Sequence, residues 1–159
     1  VEEIPAQDIQ QINVSSTKIR TSLLAGEILA ATQFLGYHYF LNGTVVKGDR
    51  IGREIGFPTA NIQPEENYKL IPKNGVYAVK VALKNKLFKG MLNIGVRPTL
   101  KGNYQTIEVN IFDFDEEIYG QPIKVIFYER IRDEQAFDTL NELKNQLTLD
   151  KEKTIQLFG

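Results

Sequence analysis

The chain has 159 residues, a usual length for one domain, and it is 42% hydrophobic and 25% charged. Its 19 basic and 20 acidic residues give a formal net charge of −1, which argues against nucleic acid or an anionic membrane as a partner. Cysteine is absent and His38 is the only histidine, so disulfides and a Ser-His-Asp triad are excluded and a zinc site is disfavoured. With no apolar run near the roughly 20 residues of a membrane span and no visible signal peptide, we expect a cytoplasmic protein.

The first predicted elements are two short helices. Ser15 or Ser16 is a suitable N-cap for the first, and Gly26 interrupts it. Its apolar face is formed by Ile19, Leu23 and Leu24. A second helix is predicted over residues 27–35, and Gly36 is a suitable C-cap. The pattern therefore predicts a helical hairpin.

Five segments that follow are rich in aromatic and β-branched residues and are separated by turn residues, which is typical of strands. They are YHYFLNGTVVKG (37–48), GVYAVKVAL (75–83), KLFKGMLNIG (86–95), QTIEVNIFDF (105–114) and QPIKVIFYERI (121–131). In the second segment Tyr77, Val79 and Val81 share one face, and Val76 and Ala78 share the other. Apolar residues on both faces predict a strand covered twice, as in a compact barrel with packing outside it.

The last segment changes to helical spacing. Apolar residues recur there at steps of three or four, at Phe137, Leu140, Leu143 and Leu147. Asp133 and Glu134 are acidic residues at its predicted start, where the helix dipole favours them. The order along the chain is therefore helices, strands and a final helix.

One stretch, GDRIGREIGFPTAN (48–61), combines a flexible loop with a rigid exit. Its glycines recur every fourth residue, at Gly48, Gly52 and Gly56, and such a loop can direct several backbone N–H groups at phosphate oxygens. The cations around the loop are Lys47, Arg50 and Arg53. Pro58 then stiffens the chain, and in the extended segment that follows Thr59 and Asn61 point to one side.

A hydroxyl and an amide oxygen projecting together beside a phosphate loop suit Mg²⁺, whose remaining ligands would be phosphate oxygens and water. The stretch is not a P-loop and not a dinucleotide-binding fingerprint, because neither glycine pattern is present. The alternative is a glycine-rich turn between two strands, with Thr59 and Asn61 in structural roles. Both interpretations stay open on the residues alone.

Glu108 stands apart from the other carboxylates of the chain. Without a suitable histidine, proton chemistry falls to a carboxylate or a lysine. In TIEVNIF the apolar Ile107 and Val109 share one strand face with Ile111, whereas Glu108 and Asn110 share the other. Most other acidic residues fall in loops or at helix starts. The alternative is an exposed strand glutamate.

These motifs resemble the riboflavin kinase family. GDRIGREIGFPTAN is similar to its ATP-binding loop and P-T-A-N motif, and NGVYAV, NIGVRPT, IEVNIFDF, IYG and IRDEQAF follow in the family's order, over roughly residues 37–150. SSTKIR is similar to the motif that closes the nucleotidyltransferase half of the bifunctional bacterial enzyme. The resemblance implies a mainly β fold, a small closed antiparallel Greek-key barrel with a C-terminal helix and an N-terminal helical hairpin. It also implies two regions, a helical remnant of the FMN adenylyltransferase domain at 1–36 and a riboflavin kinase domain at 37–159.

The implied reaction is transfer of the ATP γ-phosphoryl group to the riboflavin 5′-hydroxyl, with Mg²⁺ as cofactor and FMN and ADP as products. The resemblance implies that Glu108 is the general base and that Thr59 and Asn61 hold the metal. It assigns ATP binding to Lys47, Gly48, Gly52, Arg53, Gly56, Pro58, Thr59 and Asn61. It assigns flavin binding to Asn61, Asn93, Arg97, Glu108 and Arg132. Adenylyltransferase activity is expected to be absent, because the H-x-G-H type motif and most of that N-terminal domain are missing.

Three alternatives remain. The first is a non-catalytic barrel that binds flavin or nucleotide. The second is an oligonucleotide-binding barrel, which the near-neutral charge and the lack of a basic-aromatic strand face disfavour. The third is a flavin kinase that uses CTP as the phosphoryl donor.

Overall fold

The computed structural model describes residues 6–47, 55–65 and 70–159, apart from the side chains of residues 6–15, 98 and 99. The described helices and strands are, in chain order, α1 (Ala6–Ala25), α2 (Ile28–Leu35), β1 (Phe40–Val46), β2 (Ala60–Pro64), β3 (Gly75–Leu83), β4 (Lys86–Thr99), β5 (Gly102–Ile111), β6 (Pro122–Arg132) and α3 (Leu140–Phe158).

The strands close into an antiparallel barrel in the order β1-β2-β5-β4-β3-β6. The consecutive strands β3, β4 and β5 lie side by side, and β6 returns to pair with β3, which is the Greek-key arrangement. The closure is weakest between β2 and β5, which pair only at Ala60 with Val109 and at Asn61 with Glu108. The predicted fold class, a mainly β closed barrel with helices at both ends of the chain, is confirmed.

The interior of the barrel is filled by the apolar residues of alternating positions. The buried set includes Tyr77, Val79, Val81, Leu92, Ile94, Ile107, Val109 and Phe127. On the outer side of β3, Val76 and Ala78 are also buried and pack with Ile131 and Phe158. The prediction that this strand is covered on both faces is confirmed, because Ile131 of β6 and Phe158 of α3 cover its outer face.

The first helix begins earlier than the sequence analysis predicts. It runs from Ala6, so the predicted N-cap at Ser15 or Ser16 is wrong. No glycine or proline occurs between residues 6 and 25, so no residue with a strongly unfavourable helix propensity interrupts the helix there. The predicted break is confirmed at Gly26, which has φ of +78°, and Gly36 ends α2 with φ of +82°.

The hairpin packs onto the barrel through part of its predicted apolar face. Leu23, Ile28 and Ala31 belong to the same buried cluster as the barrel interior. Leu24, which was predicted to share that face, is instead exposed, because it lies on the side of α1 turned away from the barrel. The proposed boundary between residues 36 and 37 stays a prediction.

The final helix begins later than predicted. Thr139 is its N-cap, and the Thr139 hydroxyl accepts a hydrogen bond of 3.1 Å from the Glu142 backbone N–H. Asp133 and Glu134 therefore precede the helix by more than one turn. The prediction that these two acidic residues lie at its start is wrong. Leu140, predicted to be on the apolar face, is exposed, whereas Leu143 and Leu147 face the barrel.

Candidate active site

One row of directly opposed residues crosses five strands of the barrel. It runs from Asn61 on β2 to Glu108 on β5, Asn93 on β4, Val76 on β3 and Arg132 on β6. Opposed residues of paired strands point to the same face of a sheet. On β2, β5, β4 and β3 the neighbours of this row belong to the buried interior cluster, so the row lies on the outer face there. At the β6 end the pairing with β3 shifts register, and Arg132 reaches the same side beside Val76. Four of its five members are residues for which the resemblance implies flavin binding.

A cavity of about 210 Å³ lies between this row and the C-terminal helix, and we call it the α3 cavity. Its lining includes five residues that the resemblance places at the site, which are Thr59, Asn93, Arg97, Glu108 and Arg132. Its apolar lining comes from Phe57, Val76, Met91, Leu92, Phe137, Leu143 and Leu147. Asn61 does not line it but opposes Glu108 across β2 and β5 and is half-buried.

Glu108 is held in this cavity by an ion pair. The Arg97 Nη2 donates a hydrogen bond of 2.8 Å to Glu108 Oε1, and the two side chains are 36% and 14% exposed, respectively. Arg97 lies four residues beyond Asn93 on β4, with Gly95 between them on the same outer face. The Glu134 carboxylate rests against Gly95, where a Cβ atom would collide with it. The absence of a side chain at Gly95 thus lets a second carboxylate into the same cavity.

Thr59 is positioned by the strand that carries Glu108. The Asn110 Nδ2 donates a hydrogen bond of 2.7 Å to the Pro58 carbonyl oxygen, and Asn110 is buried. Ala60 then pairs with Val109, so the Pro58–Ala60 segment lies alongside β5. The sequence analysis placed Asn110 on the same face as Glu108 but assigned it no role, because its partner lies 52 positions away.

A second, more open cavity of about 450 Å³ adjoins Thr59 on its other side, and we call it the β2 hollow. Pro58, Thr59 and Ala60 form one wall, and the residues facing them are Phe114, Asp115, Glu116, Glu117, Ile118 and Tyr119. Thr59 lines both this hollow and the α3 cavity. The Lys47 ammonium lies 5.9 Å from the centre of the Tyr119 ring, which brings a cation to this wall.

The glycine loop is described only at its end. Gly56 is exposed and has φ of +85°, the left-handed conformation that glycine favours. The remaining predicted phosphate-binding residues, Gly48, Arg50, Gly52 and Arg53, lie outside the described residues.

Arg132 lines the α3 cavity while its guanidinium is bound by a carboxylate that the sequence analysis missed. Its Nε lies 3.0 Å from both carboxylate oxygens of Asp150, and its Nη2 lies 2.9 Å from Oδ2. Asp150 is 2% exposed and also accepts a hydrogen bond of 2.9 Å from the Gln146 side chain. In the sequence Asp150 stands among lysines and glutamates of a predicted helix, so nothing there marks it as buried.

A neighbouring ion pair fixes the chain that leads from β6 to α3. Arg130 Nη2 lies 2.8 Å from Asp133 Oδ1. The hydrogen bond from Arg130, and then the charges of Arg130 and Lys73, lower the pKa of Asp133. Burial opposes the charge of Arg130, but its hydrogen bonds to Asp133 and Tyr77 prevail and raise the pKa of Arg130.

A divalent ion at this site would depend on ligands from outside the protein. Among the described residues no group of three or more His, Asp or Glu side chains is arranged to hold a metal. The ligands that the resemblance implies are the Thr59 hydroxyl and the Asn61 amide oxygen, which are neutral and hard. Such a donor set fits Mg²⁺ only when phosphate oxygens and water complete its coordination.

Comparison with known proteins identifies the family. The model of the riboflavin kinase family, described as Flavokinase, matches residues 35–158. A bifunctional riboflavin kinase/FMN adenylyltransferase from Bacillus subtilis is 42% identical over 162 residues, which is 100% of this chain and 50% of the relative. The protein of the same name from Listeria monocytogenes is 45% identical over 147 residues, covering 92% of this chain and 46% of the relative. The chain thus spans about half the length of these relatives.

Solved structures agree in fold. A riboflavin kinase from Trypanosoma brucei superposes with a TM-score of 0.52 at 25% identity, covering 74% of this chain and 78% of that one. A Streptococcus pneumoniae protein described as a macrolide-efflux protein gives a TM-score of 0.83 at 39% identity, covering 87% of this chain and 45% of its own. None of the helices described for this chain is both long and apolar enough to cross a membrane. From the family match and the identity to the bifunctional relatives, the chain belongs to the riboflavin kinase family.

Proposed function

We propose that this chain transfers the γ-phosphoryl group of ATP to the 5′-hydroxyl of riboflavin, giving FMN and ADP. In this proposal the flavin ring occupies the α3 cavity and the nucleotide occupies the β2 hollow. The observation that carries the proposal is the position of Thr59, which lines both spaces, with Glu108 in one of them. A phosphoryl group can pass between two substrates only where their sites meet, and Thr59 marks that junction.

The proton of the attacking hydroxyl goes to Glu108. As the riboflavin 5′-oxygen forms its bond to the γ-phosphorus, the bond from that phosphorus to the β,γ-bridging oxygen breaks, and ADP leaves. Support for Glu108 as the acceptor is its position on the outer face, mostly buried and hydrogen-bonded to Arg97. The Arg97 bond holds the carboxylate in one orientation, which a base needs before substrate arrives.

The metal is Mg²⁺, held by Thr59 and Asn61 together with the phosphates. When bound it neutralises charge on the phosphoryl group being transferred. The chain contributes a neutral hydroxyl, a neutral amide and a rigid backbone between them, since the Asn110 bond to the Pro58 carbonyl secures the segment. The negative ligands then arrive only with the nucleotide, so metal and ATP bind together.

The flavin needs more room than the cavity now offers. At about 210 Å³ it is smaller than the roughly 300–1,000 Å³ of ordinary ligand pockets. Its outer wall includes Glu134, Gln135 and Phe137, which belong to no helix or strand. In the proposal this segment moves outward as the ring enters, while the strand row and α3 keep their positions.

The test is a mass measurement of the products after the protein is mixed with riboflavin, ATP and Mg²⁺. We expect FMN and ADP in equal amounts and no FAD, because adenylyltransferase chemistry is not assigned to this chain. CTP in place of ATP tests the alternative donor. If riboflavin and nucleotide both bind but no FMN forms, the chain is a binding barrel and the proposed reaction is wrong.

A further inference from the structure

The buried carboxylate of Asp150 has no direct place in the reaction proposed above. It lies on α3, 2% exposed, and is absent from the residues that line the α3 cavity. Its two oxygens accept hydrogen bonds from Nε and Nη2 of Arg132 and from Nε2 of Gln146. The carboxylate is thus fully engaged by two side chains, one of which reaches the cavity.

Docking of the helix does not by itself explain this ion pair. Removing two charges from water is expensive, and replacing a buried ion pair by apolar side chains of similar size is often neutral or stabilising. Leu143 and Leu147, about two turns and one turn before Asp150, already supply apolar contact with the barrel side of α3. What the pair adds is a guanidinium held in a fixed plane at the cavity wall.

The Arg132 guanidinium retains donors for a ligand. It has five N–H groups. Among the described residues it uses Nε–H and one N–H of Nη2 on Asp150, and one N–H of Nη1 on the Asp133 carbonyl at 2.9 Å. One N–H on Nη1 and one N–H on Nη2 remain to donate to a ligand. The Phe137 ring, 5.8 Å from the guanidinium carbon, lies beside it in the cavity lining.

Arg132 and Glu108 stand at opposite ends of the site. They occupy the same outer row and are separated by β4 and β3. Three strand spacings of about 4.8 Å put their Cα atoms roughly 14 Å apart along the row. A flavin with its ribityl hydroxyl at Glu108 therefore extends its ring toward Arg132, and the carbonyl oxygens of that ring are hydrogen-bond acceptors.

We propose that Asp150 is a positioning residue for the flavin site: its buried carboxylate fixes the Arg132 guanidinium, which donates hydrogen bonds to the carbonyl edge of the flavin ring. The inference rests on the proposed function, because it names the part of the flavin that this end of the cavity recognises. Asp150 itself touches no substrate.

The experiment is a riboflavin titration of the full chain without nucleotide, followed by the change in flavin fluorescence, with thermal unfolding measured alongside. In the double variant R132M/D150L two apolar side chains replace the ion pair. We expect it to melt close to the parent, since apolar packing substitutes for the pair. We expect its riboflavin dissociation constant to rise about 10- to 100-fold, as for loss of hydrogen bonds from a charged donor. The KM for riboflavin should rise likewise, with the KM for ATP unchanged.

Two further variants keep the test decisive if the double variant does not fold. R132K keeps the charge but loses the planar fork, so it should bind riboflavin about 10-fold more weakly. T154A is the matched control, because Thr154 is fully buried on α3 and its hydroxyl donates to the Asp150 carbonyl oxygen. It should lower the melting temperature and leave riboflavin affinity unchanged.

The outcomes separate this inference from the proposed function. Parent-like riboflavin affinity in R132M/D150L or in R132K overturns the role of Asp150 and Arg132, while FMN synthesis by the parent leaves the proposed function intact. A riboflavin affinity that falls in T154A as much as in R132K means that helix stability alone sets binding, and the inference is wrong. If the parent binds no riboflavin, both proposals fail together.

Discussion

The inner and outer faces of strands β4 and β5 share one backbone but differ in chemistry. Inward, Ile94, Ile107 and Val109 are at most 4% exposed and fill the barrel. Outward, Glu108 and Asn93 alternate with them and line the α3 cavity. The inner face belongs to the apolar core of the barrel, whereas the outer face borders a cavity beneath a helix. Substitutions at neighbouring positions of one strand are therefore expected to have different effects: on the inner face they change the free energy of unfolding, and on the outer face they change catalysis or binding.

The largest effect is expected at Glu108. E108Q removes the proton acceptor while keeping size and hydrogen bonding, so kcat should fall roughly 10²–10⁴-fold with riboflavin and ATP still bound. The measurement is steady-state kinetics combined with riboflavin titration.

The control for that variant comes from the inner face of the neighbouring strand. I94V should lower the free energy of unfolding by about 0.5–1.5 kcal/mol and leave kcat near the parent value. Retention of kcat in E108Q within a few-fold would exclude Glu108 as the base. A large loss of kcat in I94V would show that inner-face substitutions also affect catalysis, which contradicts the comparison of the two faces.

The next effect concerns the metal. T59A and N61A each remove one proposed oxygen ligand, so the Mg²⁺ concentration for half-maximal activity should rise roughly 10-fold or more. T59S keeps the hydroxyl and should behave like the parent. Magnesium titrations at saturating ATP measure this, and an unchanged requirement in both alanine variants would refute the assignment.

A smaller effect is expected at Arg97. Its ion pair with Glu108 is partly exposed and includes a hydrogen bond of 2.8 Å, whereas Arg132 and Asp150 are joined by several bonds largely out of solvent. R97M should lower kcat about 10-fold by releasing the Glu108 carboxylate. Because salt screens exposed charges, added NaCl should lower the kcat of the parent more than that of R97M. Equal salt dependence in both proteins would argue against an orienting role.

The smallest effect concerns Asp133. Because Arg130 lowers its pKa in the folded chain, the ionised carboxylate stabilises the fold above the ordinary pKa of about 3.8, and this stabilisation is lost as pH falls through the lower folded value. D133N should therefore be slightly less stable than the parent at neutral pH, and the difference should disappear in strong acid. Urea unfolding across pH 2–7 measures it, and a difference that persists at pH 2 would contradict the ion-pair explanation.

The strands could be predicted because runs of aromatic and β-branched residues bounded by turn residues favour an extended chain. The segment 75–83 is a strand with the bounds that its pattern predicts. Strand β4, in contrast, extends from the predicted 86–95 to Thr99, since its end pairs with the start of β5. Local pattern gives no warning of that pairing, because Pro98 and Gly102 read as turn residues.

The site was predictable only in part, for a similar reason. Glu108 stands out because a charged residue interrupts an apolar strand, and that signal is local. Asp150 gives no such signal, since an aspartate among lysines on a helix is normally solvated. Its burial follows from the packing of α3 against the end of β6, which brings Arg132 to it across 18 positions of sequence.

The measurement that tests the central claim most directly is a crystal structure of the chain with riboflavin, ADP and Mg²⁺. We predict the flavin ring in the α3 cavity, ADP in the β2 hollow, and the ribityl 5′-oxygen within about 3 Å of the Glu108 carboxylate. A flavin bound away from the outer row of β4 and β5, or a 5′-oxygen that contacts a different acid, would contradict the account.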